Sequence, residues 1–172
     1  MNSRLTEKLG ISVKDELLTL ALTHRSFAYE SGGLPTNERL EFLGDSVLGL
    51  IITEALYERF PDFDESRLSP LRSGVVNMRA LAHIARELKL GESLRIGKGE
   101  ENTGGRDKNS ILADSFEALV GAIYLQHGYE ITTSVILTLM SSSIEEAVAR
   151  GAGLDGKTAL QELVAAKNWP AP

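Results

Sequence analysis

Cysteine is absent from the 172 residues. That excludes disulfides and thiolate metal sites and fits a reducing cytoplasm, the compartment expected here. No uncharged run is long enough to span a bilayer. The start, Met1-Asn2-Ser3-Arg4-Leu5-Thr6-Glu7-Lys8, lacks the apolar core of a signal peptide. Strand-period alternation and internal repeats are also missing, so the expected architecture is all-α. Positive charge is in deficit: the net charge is −6. A basic surface that simply coats nucleic acid is therefore disfavoured. A nuclease is not, because an acidic metal-binding cleft adds negative charge of its own. With 42% hydrophobic and 24% charged residues the composition is globular, with room for one domain and a fragment of a second.

The strongest helical signal begins at Asn37-Glu38-Arg39-Leu40-Glu41-Phe42-Leu43-Gly44-Asp45-Ser46 and runs to Phe60-Pro61. At about 100° per residue, Leu40, Leu43, Val47, Leu50 and Ile51 share one face, and Glu38, Glu41 and Asp45 gather on the opposite side. Gly49 falls near the acidic azimuth. A helix-interior glycine costs about 1 kcal/mol relative to alanine, so its expected use is to admit another backbone. A second helix, 109–127, closes at Gly128. Between Ile111 and Leu125 its only charges are Asp114 and Glu117, neighbours at i, i+3. Gly121 lies on that acidic side. The pattern predicts that the two helices cross and that their acids meet.

Elsewhere, helices are expected at 3–9 and 14–22, separated by Gly10. Thr23 to Tyr29 leads into a loop at 31–35, with His24 as a structural hydrogen-bonder. A two-part helical region covers 64–90. In it, Ser69-Pro70 reads as an N-cap followed by proline at the first helical position, Glu65 sits in a preceding turn, and Gly91 ends the run. The glycine-rich stretch 92–108 carries Arg95, Lys98, Arg106 and Lys108, and reads either as a flexible loop or as a phosphate-contacting one. A last helix is expected at 129–150, then a linker at Gly151-Ala152-Gly153 and one more helix from Asp155.

If Glu41, Asp45, Asp114 and Glu117 converge, each pair at ~5 Å repels by roughly 3 kcal/mol at an effective dielectric near 20. Protonation or a cation must relieve this. All four ligands are hard oxygens, and His24, His83 and His127 lie outside both acidic motifs. That favours Mg²⁺, with Mn²⁺ able to substitute, over zinc or copper. The Glu-x-x-His pattern of di-iron bundles is absent. A divalent cation held by carboxylates suits phosphoester chemistry, acidifying water and stabilising charge on phosphate oxygens. The residues alone do not identify RNA as the substrate.

The stretch Asn37 to Ser46 closely resembles the signature of the ribonuclease III family. Lys108 to Leu125 resembles that family's second acidic motif, and Leu22-Thr23-His24-Arg25-Ser26 matches too. The resemblance follows nearly the whole chain in order. It implies a bacterial, homodimeric, Mg²⁺-dependent endonuclease acting on double-stranded RNA, including rRNA precursors and other structured RNAs. The implied products carry 5′-phosphates and 3′-hydroxyls with short 3′ overhangs. By the same resemblance Glu41, Asp45, Asp114 and Glu117 are the metal-binding carboxylates, Asp45 and Glu117 carry the chemical step, and Glu38 and Glu65 are supporting cleft acids. Pro70 departs from the family's residues at that position. The implied organisation is a nuclease domain over 1–150, a linker over 151–154, and over 155–172 an N-terminal fragment of a double-stranded-RNA-binding domain. The rival reading, a non-cleaving RNA-binding or ribosome-associated member of the fold, should have lost one or more of the four acids. Phe42 lies on the acidic side, about 40° from Glu38 and away from the apolar stripe. In a dimeric family this predicts that Phe42 anchors a two-fold interface by entering a pocket on the partner subunit.

Overall fold

The fold follows from two apolar helices whose backbones meet at one glycine crossing. In the computed structural model, which describes residues 3–149, the architecture is all-α. The helices named in order are α1 (Ser3–Leu9), α2 (Asp15–Ala21), α3 (Arg25–Glu30), α4 (Glu38–Arg59), α5 (Glu65–Val75), α6 (Met78–Glu87), α7 (Leu90–Ser93), α8 (Lys98–Asn102) and α9 (Asn109–Leu139). Residues 141–149 are helical beyond a turn at Met140, so the helix expected over 129–150 is interrupted there. The expected linker and binding-domain fragment at 151–172 lie outside the described residues. Among those described, no helix is long and apolar enough to cross a membrane.

α4 and α9 form the centre, and α6 packs on α9 from another side. Leu40, Val47, Leu48, Ile51 and Ile52 of α4 are buried with Leu112, Phe116, Leu119 and Ile123 of α9. α9 is helical up to Gly128, whose φ of 75° and ψ of −175° break it there. Only glycine takes that conformation without strain, so the expected stop at Gly128 is real.

Gly44 and Gly121 set the distance between the two helices. A Cβ on Gly44 would overlap the Glu117 carbonyl and stand 2.9 Å from the Gly121 nitrogen; one on Gly121 would overlap the Leu40 carbonyl. The glycine expected to admit a neighbour, Gly49, meets nothing within 4 Å. Gly44 lies within the apolar face of α4, between Leu40 and Val47, so it is the glycine that faces α9.

Capping accounts for the other departures. Asp64 caps α5 by accepting from the Arg67 N–H at 3.1 Å, so the helix starts at Glu65 rather than at Ser69. Pro70 is inside it. The bond it cannot donate falls to the Ser66 carbonyl, on an exposed turn where water can serve. Asn77 caps α6 through the Ala80 N–H at 3.0 Å. α6 ends before Gly91, because Lys89 takes the left-handed conformation at φ 59°. Gly91 instead makes room for the Arg106 carbonyl.

Candidate active site

Glu41 follows Leu40, whose carbonyl abuts Gly121, and Glu117 carries the carbonyl that abuts Gly44. The glycine contact thus brings the acids of α4 and α9 together. Glu41, Asp114 and Glu117 each offer a carboxylate oxygen, all within 4.8 Å of one another. Burial raises the proton affinity of all three. The effect is largest for Glu117, which is pushed up to about 7 by burial and then by the charges of Asp45, Asp114 and Glu41. Glu41 is raised by burial and next by Asp114. On Asp114 the nearby His24 and Arg25 oppose the effect of burial. A half-buried trio of hard oxygens under mutual repulsion fits a divalent cation of the Mg²⁺ or Mn²⁺ kind.

The structure sorts the other expected residues. Asp45 is exposed and stands outside the trio, yet among charges it has the largest influence on Glu117. Around α4 it lies about 40° further from Leu40 than Glu41 does. Glu38 is not in the trio either; it accepts from Arg25 and from the Thr36 hydroxyl at 2.8 Å. Glu65 is not brought to the cluster within one chain. It opens α5 and lines a separate cavity with Thr53, Leu56 and Tyr57. Phe42 is 79% exposed and so takes no part in its own core.

His24 has the structural role expected of it. It caps α3, a helix within the segment expected only to lead into a loop, by accepting from the Ser26 N–H at 3.2 Å. Burial lowers its proton affinity, with Glu100 opposing. The segment is fixed by backbone bonds from His24 N–H to the Arg95 carbonyl (3.0 Å) and from Asn37 N–H to the Thr23 carbonyl (2.9 Å). This ties α3 to the first residues of α4 and places Arg25 beside the acids. Arg25 had no role in the reading of the sequence beyond its place in a motif; its only signal there was its adjacency to His24.

The basic stretch 92–108 is neither of the loops expected. It folds into α7, α8 and a 3₁₀ turn at Gly105–Asp107. Arg95 lies over the Phe27 ring, with its guanidinium carbon 4.5 Å from the ring centre. Arg106 donates to the carbonyls of Gly91 (2.9 Å) and Leu94 (2.8 Å), and Lys108 pairs with Glu100. These three cations hold the stretch together.

Residues 14–144 match the family described as Ribonuclease-III-like. The chain is 60% identical over 177 residues to Ribonuclease 3 of Mycolicibacterium paratuberculosis, covering all of this chain and 75% of that protein. It is 58% identical over 161 residues to Ribonuclease 3 of Thermobifida fusca, covering 94% and 67%. Its structure is similar to the nuclease domain of ribonuclease III from Campylobacter jejuni, described as flexible in a region involved in dimer formation. There the TM-score is 0.78 at 42% identity, over 83% of this chain and 98% of that one. With the two acidic motifs meeting as that family's signature implies, the chain belongs to the ribonuclease III family of endoribonucleases.

Proposed function

We propose that the chain is a cytoplasmic, Mg²⁺-dependent endonuclease that cuts double-stranded RNA, rRNA precursors among its substrates, leaving 5′-phosphate and 3′-hydroxyl ends. The observation that carries this reading is the meeting of Glu41, Asp114 and Glu117 within 4.8 Å on two otherwise apolar helices. Glu41, Asp114 and Glu117 hold the cation. When bound, it supplies charge stabilisation at the phosphate oxygens and acidifies water. Asp45, exposed beside Glu117, takes a proton from the attacking water, Glu117 orients that water against the phosphorus, and the P–O3′ bond breaks as the leaving 3′-oxygen takes a proton from solvent. Residues 155–172 supply the start of a double-stranded-RNA-binding domain. Long double-stranded RNA with Mg²⁺, against an EDTA control, tests the reading. Glu117→Gln keeps the shape and should abolish cleavage; near-wild-type cutting by that variant overturns the assignment.

The working unit is a homodimer. Phe42, Ser46, Gly49, Thr53 and Tyr57 recur along one outward stripe of α4, with Leu50 at its edge. Phe42, Leu50 and Tyr57 are respectively 79%, 57% and 71% exposed. The cavity beside Tyr57 encloses about 350 Å³ and is mostly apolar. Gly49 stands seven residues after Phe42 and seven before Leu56, a lining residue of that cavity. A two-fold axis at Gly49 would run two α4 helices antiparallel and carry each Phe42 to the other copy's cavity. The same docking carries the partner's Glu65, which lines that cavity, towards Glu38 and Glu41. This accounts for Glu65 as a cleft acid supplied from the second subunit.

A further inference from the structure

Beside the acid trio, α3 and the loop leading to α4 enclose an open groove of about 570 Å³, bordered by His24, Arg25, Tyr29, Thr36 and Glu38. We propose that this groove holds the sugar–phosphate backbone of the strand being cut, with Arg25 on a phosphate and the His24 Nε2–H on a neighbouring backbone oxygen. The inference rests on the reading of the site as a nuclease for RNA.

Hydrogen bonding fixes the direction of the His24 donor. The Ser26 N–H donates to His24 Nδ1, and the Ser26 hydroxyl, which accepts from the Gly97 N–H at 2.9 Å, lies 2.8 Å from the same nitrogen. Nδ1 is therefore an acceptor and the ring proton sits on Nε2. Among the described residues that N–H has no partner. Capping a helix requires only an acceptor, which Asn, Asp or Ser provides more commonly than histidine. A second nitrogen left free beside a groove is more than a cap needs.

Arg25 supplies the charge. Its side chain is 69% exposed, and Glu38, itself held by Thr36, keeps it at the rim. Asp114 is within electrostatic reach of both His24 and Arg25, and Glu41 of Arg25. A chain of net charge −6 that gathers carboxylates must still attract a polyanion to them. Of the cations of the neighbouring basic stretch, Arg95, Arg106 and Lys108 are engaged in holding the fold, and Lys98 is joined to Glu30 only through its backbone N–H. Arg25 is tethered on one side and open to solvent on the other, and its planar fork can bind a phosphate while keeping Glu38. Tyr29, 86% exposed, adds a hydroxyl and a flat face at the outer edge for a ribose.

The test measures binding of a fluorescent RNA duplex in EDTA across salt concentrations, and cleavage separately in Mg²⁺. Arg25→Ala should reduce the slope of log K against log salt by about 1.8 for the dimer, one phosphate contact fewer in each subunit, and Arg25→Lys should restore it. His24→Asn keeps a favoured capping oxygen and removes Nε2–H. It should leave the melting temperature unchanged and raise KM about tenfold, with kcat within about threefold. An unaltered slope in Arg25→Ala, or a His24→Asn defect confined to melting temperature or kcat, overturns the inference. A wild-type chain that binds the duplex without cutting it overturns the nuclease reading instead, and the salt slopes then still decide the groove.

Discussion

The two faces of α4 treat glycine in opposite ways. On the inner face Gly44 is pressed against the Glu117 carbonyl and the Gly121 nitrogen, with Leu40, Val47 and Ile51 buried around it. On the outer face Gly49 meets nothing within 4 Å, and its neighbours Phe42, Leu50 and Tyr57 are exposed. Two glycines five residues apart carry the same cost in helix propensity, about 1 kcal/mol each. The inner one recovers that cost within the chain, because only glycine lets α4 and α9 approach closely enough to bring their acids together. The outer one recovers nothing within the chain. In the proposed dimer, contacts that a single subunit does not make would offset the second cost.

The largest effect should come from breaking the inner contact. In Gly44→Ala the new methyl overlaps backbone that cannot turn aside, so the destabilisation should exceed the roughly 3 kcal/mol upper end of ordinary overpacking. Chemical denaturation checks this; a loss below about 1 kcal/mol would show that the helices can part. Phe42→Ala acts on the outer face. A two-fold interface feels one substitution twice, and an aromatic anchor costs about 2 kcal/mol or more. The variant should shift towards monomer in sedimentation velocity while retaining its helical signal, and a dimer that persists with only a lower melting temperature would place Phe42 in intrachain packing.

The third prediction concerns the charge that the inner contact concentrates. Glu117 has an ordinary value of 4.5 and is pushed up to about 7 in the fold. Between those values the folded chain holds a proton that the unfolded chain has released. The contribution of Glu117 to metal-free stability is therefore fully present below about pH 4.5 and is lost as pH rises through about 7. Glu117→Gln should flatten that fall, and saturating Mn²⁺ should raise the melting temperature at pH 7 by binding the native state alone. Thermal melts across this range check both; a pH profile unchanged in the variant would remove Glu117 from the trio. The smallest effect belongs to Gly49→Ala. It should stabilise an isolated subunit by up to about 1 kcal/mol through helix propensity, yet weaken self-association by placing a methyl where two copies meet. Unaltered association on dilution would move the two-fold axis away from Gly49.

Local chemistry was legible in the sequence. The acidic helices, the break at Gly128 and the seclusion of Asp114 and Glu117 among apolar neighbours all follow from periodicity and backbone preference over a few residues. Phe42 was legible for the same reason, since its angle on the wheel keeps it off the buried stripe. The departures share a physical cause. Periodicity says which residues share a face but not what that face meets, so Gly49 was favoured over Gly44. Wheel angle groups Asp45 with Glu41, and burial distinguishes them, Asp45 being exposed and Glu41 half-buried. Pro70 looked like a start because proline suits first turns, but Asp64 offered an earlier cap and water could take the orphaned carbonyl. Arg25 and Glu38 are thirteen residues apart in sequence. Their pairing depends on backbone bonds from His24 to Arg95 and from Asn37 to Thr23, contacts that only the folded chain can close. The sequence by itself therefore determined the helices and the chemistry of their side chains. The tertiary structure decided which carboxylates come within reach of one another and that Arg25 stands beside them, because such distances depend on how separate helices approach.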